Sequence, residues 1–216
     1  MCKLCETKPV YEFTNKRKVC KNCFVRYFQK KFLFIIRKFE MIKKGDVVGY
    51  KKGIDFRDIV LEDLLNMFSE KGMVEIVRMP STPQMYPEKS FATLKSVPRE
   101  KKDFSTKDKI FTKGKKKINK IAVSSTIDSE ADKIVHILIE GDVKDLKEIA
   151  PVNKKIIKPL YLFLDAEVLL YAKIKKLKFK KTNKKKDKLS LFIDELEKKH
   201  PEIKRAILNS YLELEK

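Results

Sequence analysis

Cys2, Cys5, Cys20 and Cys23 are the residues of this chain best suited to chemistry, because they form two CxxC pairs with fourteen residues between them. A tetrahedral metal ion needs four soft donors. A CxxC turn sets two thiolates on one side of the ion while backbone amides of the turn donate to the sulfurs. Two such turns close the sphere, and the spacing predicts a structural knuckle holding zinc, with an iron–sulfur cluster as the alternative occupant. Two disulfides or four free thiols are the readings without a metal. Disulfides belong to oxidising compartments, and no apolar signal segment stands before the first cysteine, so a cytoplasmic protein is expected. These four are all the cysteines of the chain. With every one in the knuckle, no thiol remains for a nucleophile, a persulfide carrier or a further cysteine-held cluster.

Charge points to the partner. The chain of 216 residues carries 51 Lys and Arg against 30 Asp and Glu, a net charge of +21. That surplus exceeds what solubility needs and favours a polyanion, nucleic acid first. An anionic membrane surface is the alternative, but the longest wholly apolar run is the five residues 32–36, far too short to span a bilayer. Lysine enrichment through genome composition or growth temperature is the reading without a ligand. A hydrophobic share of 43% suffices for a core.

The elements that must position these groups follow from periodicity. Residues 24–42 read as a helix, with apolar side chains at 24, 27, 28, 32, 35, 36 and 39. Its other face carries Arg26, Lys30, Lys31, Arg37 and Lys38 beside Tyr27, Phe28 and Phe34, a mixture able to grip a phosphate backbone and stack on a base. Core packing is the plainer role for the aromatics. Residues 47–50 read as a strand, 55–71 as a helix ending at Gly72, and 74–79 as a second strand; strand, loop, helix and strand make a βαβ unit and predict a parallel sheet covered by helices. Residues 80–120 are poorly patterned, with prolines at 80, 83, 87 and 98 and a lysine run at 113–117. A buried-type strand is expected at 121–123, and Ser124, Ser125 and Thr126 can cap a helix running to Gly141, with Asp128 and Glu130 in its first turn. A short extended piece at 158–160 and a helix at 166–176 follow. Residues 173–188 hold ten lysines, Lys180 and Lys181 among them, and read as a linker or basic arm. Two helices, 189–199 and 202–215, are broken at His200-Pro201. His136 and His200 read as packing or surface residues.

In this order the pieces resemble the tRNA 2-thiolation proteins of the PP-loop family, which includes archaeal and bacterial thiouridine synthetases and the eukaryotic cytoplasmic thiolation complex. Four patches carry the resemblance across nearly the whole chain: CKLC with CKNCFVRYF; IKKGDVVGY; IDSEADKIVHILIEGD; and KPLYLFLDAEVLLYAKIKKL. The C-terminal LFIDELEKKHPEIKRAILNSYLEL also looks like the family's final helices. The resemblance implies an α/β fold with a zinc ribbon at 1–24, a basic helix and Rossmann-like PP-loop core at 25–182, and a helical segment at 183–216. Active members carry SGGxDS after the first strand, where backbone N–H groups and a helix N-terminus hold the pyrophosphate of ATP. Here the same place reads KKGIDF, and Gly53 and Asp55 are all that corresponds. The family's TGHN stretch is replaced by residues 123–126, while Asp128, Glu130 and Ala131 remain. Core catalytic cysteines and a second zinc ribbon are missing. The implied function is therefore a non-catalytic, zinc-containing, tRNA-binding subunit that serves a catalytic PP-loop paralogue, as a heteromer or a homodimer, without a membrane. Arg26, Lys30, Lys31, Arg37, Lys38, Lys180 and Lys181 would contact RNA. Two alternatives stand beside it: an ATP-dependent tRNA-modifying enzyme using Gly53, Asp55, Asp128 and Glu130, and a zinc-ribbon scaffold for protein.

Overall fold

A computed structural model describes residues 1–13, 15–70, 72, 74–79, 112–113, 116–180 and 187–215. The chain opens with a hairpin of β1 (Tyr11–Glu12) and β2 (Lys18–Val19), Tyr11 facing Val19. Helix α1 (Lys21–Lys38) follows at once and buries Phe24, Phe28, Phe32, Ile35 and Ile36 of the stripe that the sequence pattern predicts, whereas Tyr27 and Phe39 are half-buried. It starts earlier than expected because its N-cap is Cys20, so the knuckle itself launches the helix. It stops at Phe39, before the expected 42, with Arg37 and Lys38 in the last turn, where the helix dipole favours cations.

The core continues through β3 (Val47–Lys51), α2 (Phe56–Ser69) and β4 (Glu75–Met79), the expected βαβ unit. A second small hairpin, β5 (Thr112–Lys113) and β6 (Lys116–Lys117), takes up part of the lysine run. Then come β7 (Lys120–Ala122) and α3 (Ile127–Glu140), the latter closed by Gly141 at φ 78, a left-handed C-cap. After a 3-10 turn at Val143–Glu148, the hairpin of β8 (Val152–Asn153) and β9 (Ile156–Ile157) leads to α4 (Asp165–Ile174), α5 (Lys188–Lys199) and α6 (Ile203–Leu214).

The main sheet has the order β4-β3-β7-β9-β8, with parallel pairing throughout except for the β8 edge, which runs antiparallel to β9. The parallel sheet is thus present as a mixed one. The β8–β9 hairpin is not apparent from periodicity, since two-residue strands are too short to display it. The extended piece expected at 158–160 lies just after β9. Helix α2 carries the chain from β3 outward to β4, whereas α3 carries it from β7 to β9 on the other side. The C-terminal ends of β3 and β7 therefore flank the topological switch point, where open α/β sheets bind ligands.

Knuckle and sheet share one core. Cys2, Val19 and Cys20 belong to the same buried cluster as α1, α2, α4 and the strands. A second cluster, built on Ile127, Ile134, Ile137, Tyr161, Leu208 and Tyr211, holds α6 against α3. Within the core, fully buried Glu130 accepts from Lys158 at 2.7 Å, and Lys158 also donates to the carbonyls of Glu148 and Ile149. Burial lowers the Lys158 pKa, and Glu130 opposes that shift. His136 links α3 to the N-cap of α5, its Nε2 lying 2.6 Å from Asp187. No helix among the described residues is long and apolar enough to cross a membrane.

Removing one partner of a buried ion pair strands the other charge, so Glu130→Ala should lower stability by about 3–5 kcal/mol in urea unfolding. Glu130→Leu combined with Lys158→Met should recover most of that loss. Equal loss in both variants would show that cavity and packing effects, not the charge, dominate.

Candidate metal centre and nucleic-acid interface

Backbone bonds lay out the knuckle. Cys2 donates its N–H to Thr7 O and Glu6 donates to Cys2 O, both at 2.9 Å, closing the first CxxC turn, with Glu6 at φ 58. The bond from Lys3 N–H to Lys18 O at 3.1 Å lays this turn against the hairpin that delivers Cys20. The four Sγ atoms all lie within 4.8 Å of one another, with Cys5 3.3 Å from Cys20 and 3.6 Å from Cys23. None of the four is in a disulfide. Four thiolates at about 2.3 Å from one tetrahedral ion would be about 3.8 Å apart, so the donor set fits a single ion. A four-iron cubane places each thiolate on a different iron and spreads them wider.

Their protonation follows the same crowding. The Thr7 hydroxyl, then the Cys23 backbone N–H, pull Cys20 down to about 6, while hydrogen bonding to Cys20 and Cys5 pushes Cys23 up to about 12. Cys2 is lowered as well, first by the Leu4 backbone N–H, so neighbouring sulfurs compete for negative charge. A divalent cation would relieve this competition by favouring four thiolates.

Beside the knuckle, α1 forms one wall of a groove of about 770 Å³ lined by Leu4, Arg17, Arg26, Tyr27, Lys30, Lys31 and Phe34 together with Cys5 and Cys23 of the knuckle. Arg26, Lys30, Arg37 and Lys38 are exposed, as an RNA-facing surface requires. Lys31 turns inward and donates to Glu167 at 2.8 Å; burial lowers its pKa, and Glu167 opposes the shift. The aromatics divide in the same way. Phe28 stacks in the core on Tyr171 and Phe163, with ring centroids 4.3 and 4.2 Å away, whereas Phe34 is 51% exposed. Lys180 is anchored through its backbone N–H to Ile54 O at 2.8 Å, so the chain after α4 passes over the β3–α2 turn. Lys181 lies outside the described residues.

At the switch point, Asp55 is the N-cap of α2 and Gly53 precedes it in the β3–α2 turn. The Asp58 carboxylate folds back over Gly53, where any Cβ would overlap it, and accepts from Ser124 Oγ of the β7–α3 turn at 2.5 Å. Burial raises the Asp58 pKa, against the Ser124 bond. An internal carboxylate thus joins the two turns at the N-terminus of α2, the position that favours an anion. Beside it, Arg57 pairs with Asp165, which also accepts from Thr126 Oγ1 at 2.7 Å. Asp128 is engaged at both oxygens, by the Asp165 backbone N–H at 2.7 Å and by Lys204 at 2.9 Å. Glu130 is in the core with Lys158, as described. Of the four candidate nucleotide residues, Gly53 and Asp55 share the turn, while Asp128 and Glu130 are tied into packing contacts.

Sequence reasoning missed Asp58, Arg57 and Asp165. Acidic residues in a first helical turn are ordinary, and only the folded chain brings Ser124 and Gly53 to Asp58. Alanine at Gly53 must displace that carboxylate from Ser124, so Gly53→Ala should cost about 1–3 kcal/mol in urea unfolding. Added to Asp58→Ala, the same change should cost far less, because the two effects share one contact. Full additivity would mean that the carboxylate is not seated there.

No family model and no curated protein matches this sequence. Among solved structures, the chain is similar to the U34-tRNA thiolase NcsA from Methanococcus maripaludis, determined with its [4Fe-4S] cluster. The TM-score is 0.65 at 20% identity, over 99% of this chain and 86% of that one. The resemblance expected from the sequence patches is therefore borne out at the level of fold: this chain has an α/β architecture like that of NcsA, with a four-cysteine cluster at its N-terminal end.

Proposed function

We propose that this protein is a non-catalytic, zinc-carrying tRNA-binding subunit that supports uridine 2-thiolation by a catalytic PP-loop paralogue. One observation carries the reading. At the β3–α2 turn, where active members of the resembling family bind pyrophosphate, the Asp58 carboxylate occupies the helix N-terminus and is bonded across the crevice to Ser124. A phosphate there would meet a like charge at close range, and the turn offers one glycine in place of two. The fold shared with a tRNA thiolase and the exposed cations Arg26, Lys30, Arg37 and Lys38 support tRNA as the polyanion. In the chain beyond α4, Lys180 adds a further candidate cation, while Lys31 is balanced by Glu167. Zinc is supported by sulfur spacings that suit one ion and by a cysteine count that leaves no thiolate for a cluster in the core. Leu191 and Phe192 on α5, 52% and 54% exposed, suit a protein partner such as that paralogue.

Metal analysis of the purified protein should give one zinc per chain; four irons with visible absorption would replace zinc by a cluster. Titration with unfractionated tRNA should show affinity falling steeply with salt. Arg26→Glu with Lys30→Glu should weaken binding at least about tenfold and reduce the salt slope by about two. Calorimetry with ATP and Mg2+ should give no binding heat at millimolar nucleotide. Heat together with turnover on tRNA would return the ATP-dependent enzyme reading, and tRNA affinity insensitive to the double reversal would remove α1 from the interface.

A further inference from the structure

We infer that the groove between the cysteine knuckle and α1 is a slot for an unpaired nucleotide of the RNA, its base laid against Phe34 and Tyr27 and its phosphate taken by Arg17, Arg26 and Lys30. This rests on the tRNA-binding reading and specifies which part of an RNA that surface takes. Cys23, Tyr27, Lys30 and Phe34 follow one another along α1 at spacings of four, three and four. That spacing makes one helical stripe running away from the metal centre, distinct from the stripe of Phe24, Phe28, Phe32 and Ile35 that enters the core. Core packing thus accounts for Phe28 and leaves Phe34 unexplained. Leu4, 63% exposed, lines the same groove.

Arg17 supplies the second, independent observation. Its Nε is buried and has no hydrogen-bond partner among the described residues, while its guanidinium lies 5.1 Å over the Phe13 ring. Nε itself is closed to solvent, but Arg17 lines the groove, and its positive charge suits an anionic oxygen held there. Among the described residues, no carboxylate lines the groove. The space of about 770 Å³ lies within the range of pockets for ligands of this size. An aromatic wall with a cationic rim binds nucleic acid by stacking on an exposed base face, which paired bases inside a duplex do not present. Because Cys5 and Cys23 are among the lining residues, the knuckle also helps to shape the slot.

The test uses the full-length, metal-loaded protein and two RNA hairpins closed by a non-nucleotide linker in place of a loop, one blunt and one with a single-stranded 3′ overhang carrying 2-aminopurine. Stacking should change the probe's fluorescence on binding, and the overhang should raise affinity over the blunt hairpin. Phe34→Ala should abolish the fluorescence change and weaken the overhang RNA about tenfold, leaving the blunt hairpin unaffected, with Phe34→Tyr restoring both. Arg17→Gln should lower the salt slope for the overhang RNA by about one, and Arg17→Lys should retain it. Thermal unfolding controls for folding, which a half-exposed side chain such as Phe34 should hardly alter. Equal binding of both hairpins, or a fluorescence change that survives Phe34→Ala, overturns the slot. If tRNA binding then still responds to charge reversal at Arg26 and Lys30, the broader reading stands without it; if wild type binds no RNA, both fall.

Discussion

One carboxylate with no solvent exposure, Glu167, holds the knuckle, the basic helix and the C-terminal helices in a single arrangement. Its Oε2 accepts from Lys31 Nζ at 2.8 Å and from the Leu164 backbone N–H at 3.1 Å; its Oε1 lies 3.5 Å from both Tyr11 Oη and Arg205. Those partners belong to α1, the start of α4, the knuckle hairpin and α6. A buried charge is tolerated only when its neighbours satisfy it, so these four elements must meet at one point for the core to close. Tyr11 registers the same constraint, since burial and then Glu167 raise its pKa. The orientation of α1 follows. With Lys31 drawn toward Glu167, the adjoining Arg26, Tyr27, Lys30 and Phe34 are left to face the groove.

Buried acids are matched by buried cations, so the net charge of +21 is carried by the surface. Glu130 and Glu167 are fully buried, Asp58 is bonded to Ser124, and Asp128 is held between α4 and Lys204. Lys204 itself collects Asp128, Asp194 and Glu197, so α5, α6 and the start of α3 are joined by charge as well as by the Ile134 and Tyr211 cluster. Glu130, Glu167 and Asp128 thus neutralise specific internal cations, while Arg26, Lys30, Arg37 and Lys38 face solvent, where a polyanion would meet them. At the switch point the same economy closes a crevice: Asp58 with Ser124, and Arg57 with Asp165 and Thr126, connect the β3–α2 turn to the β7–α3 turn and to α4.

The metal knuckle is part of this construction, not an appendage. Cys20 caps α1, and Cys2, Val19 and Phe24 are buried in the same cluster as Leu64, Phe163 and Tyr171. Whatever ion the thiolates hold therefore stabilises the N-terminus of the basic helix directly, and through it the groove wall.

Local pattern determined the four-cysteine knuckle, the core stripe of α1, the β3–α2–β4 unit, the strand at β7 and the two terminal helices, because spacing by two, three or four residues reports on the nearest turn of backbone. The order of those pieces was enough to anticipate an α/β fold of the thiolase type. It could not separate Lys30 from Lys31, since both lie on the basic face of the helix and only Glu167, more than a hundred residues later, decides which of them turns inward. Asp128 and Glu130 read alike as first-turn carboxylates until Lys204 and Lys158 reach them from distant elements. The two-residue strands β8 and β9 leave no periodic trace. Asp58 over Gly53, bonded to Ser124, depends on two turns that meet only when β3 and β7 pair. Sequence thus determined what each segment is; long-range pairing of charges and strands decided where each functional side chain points.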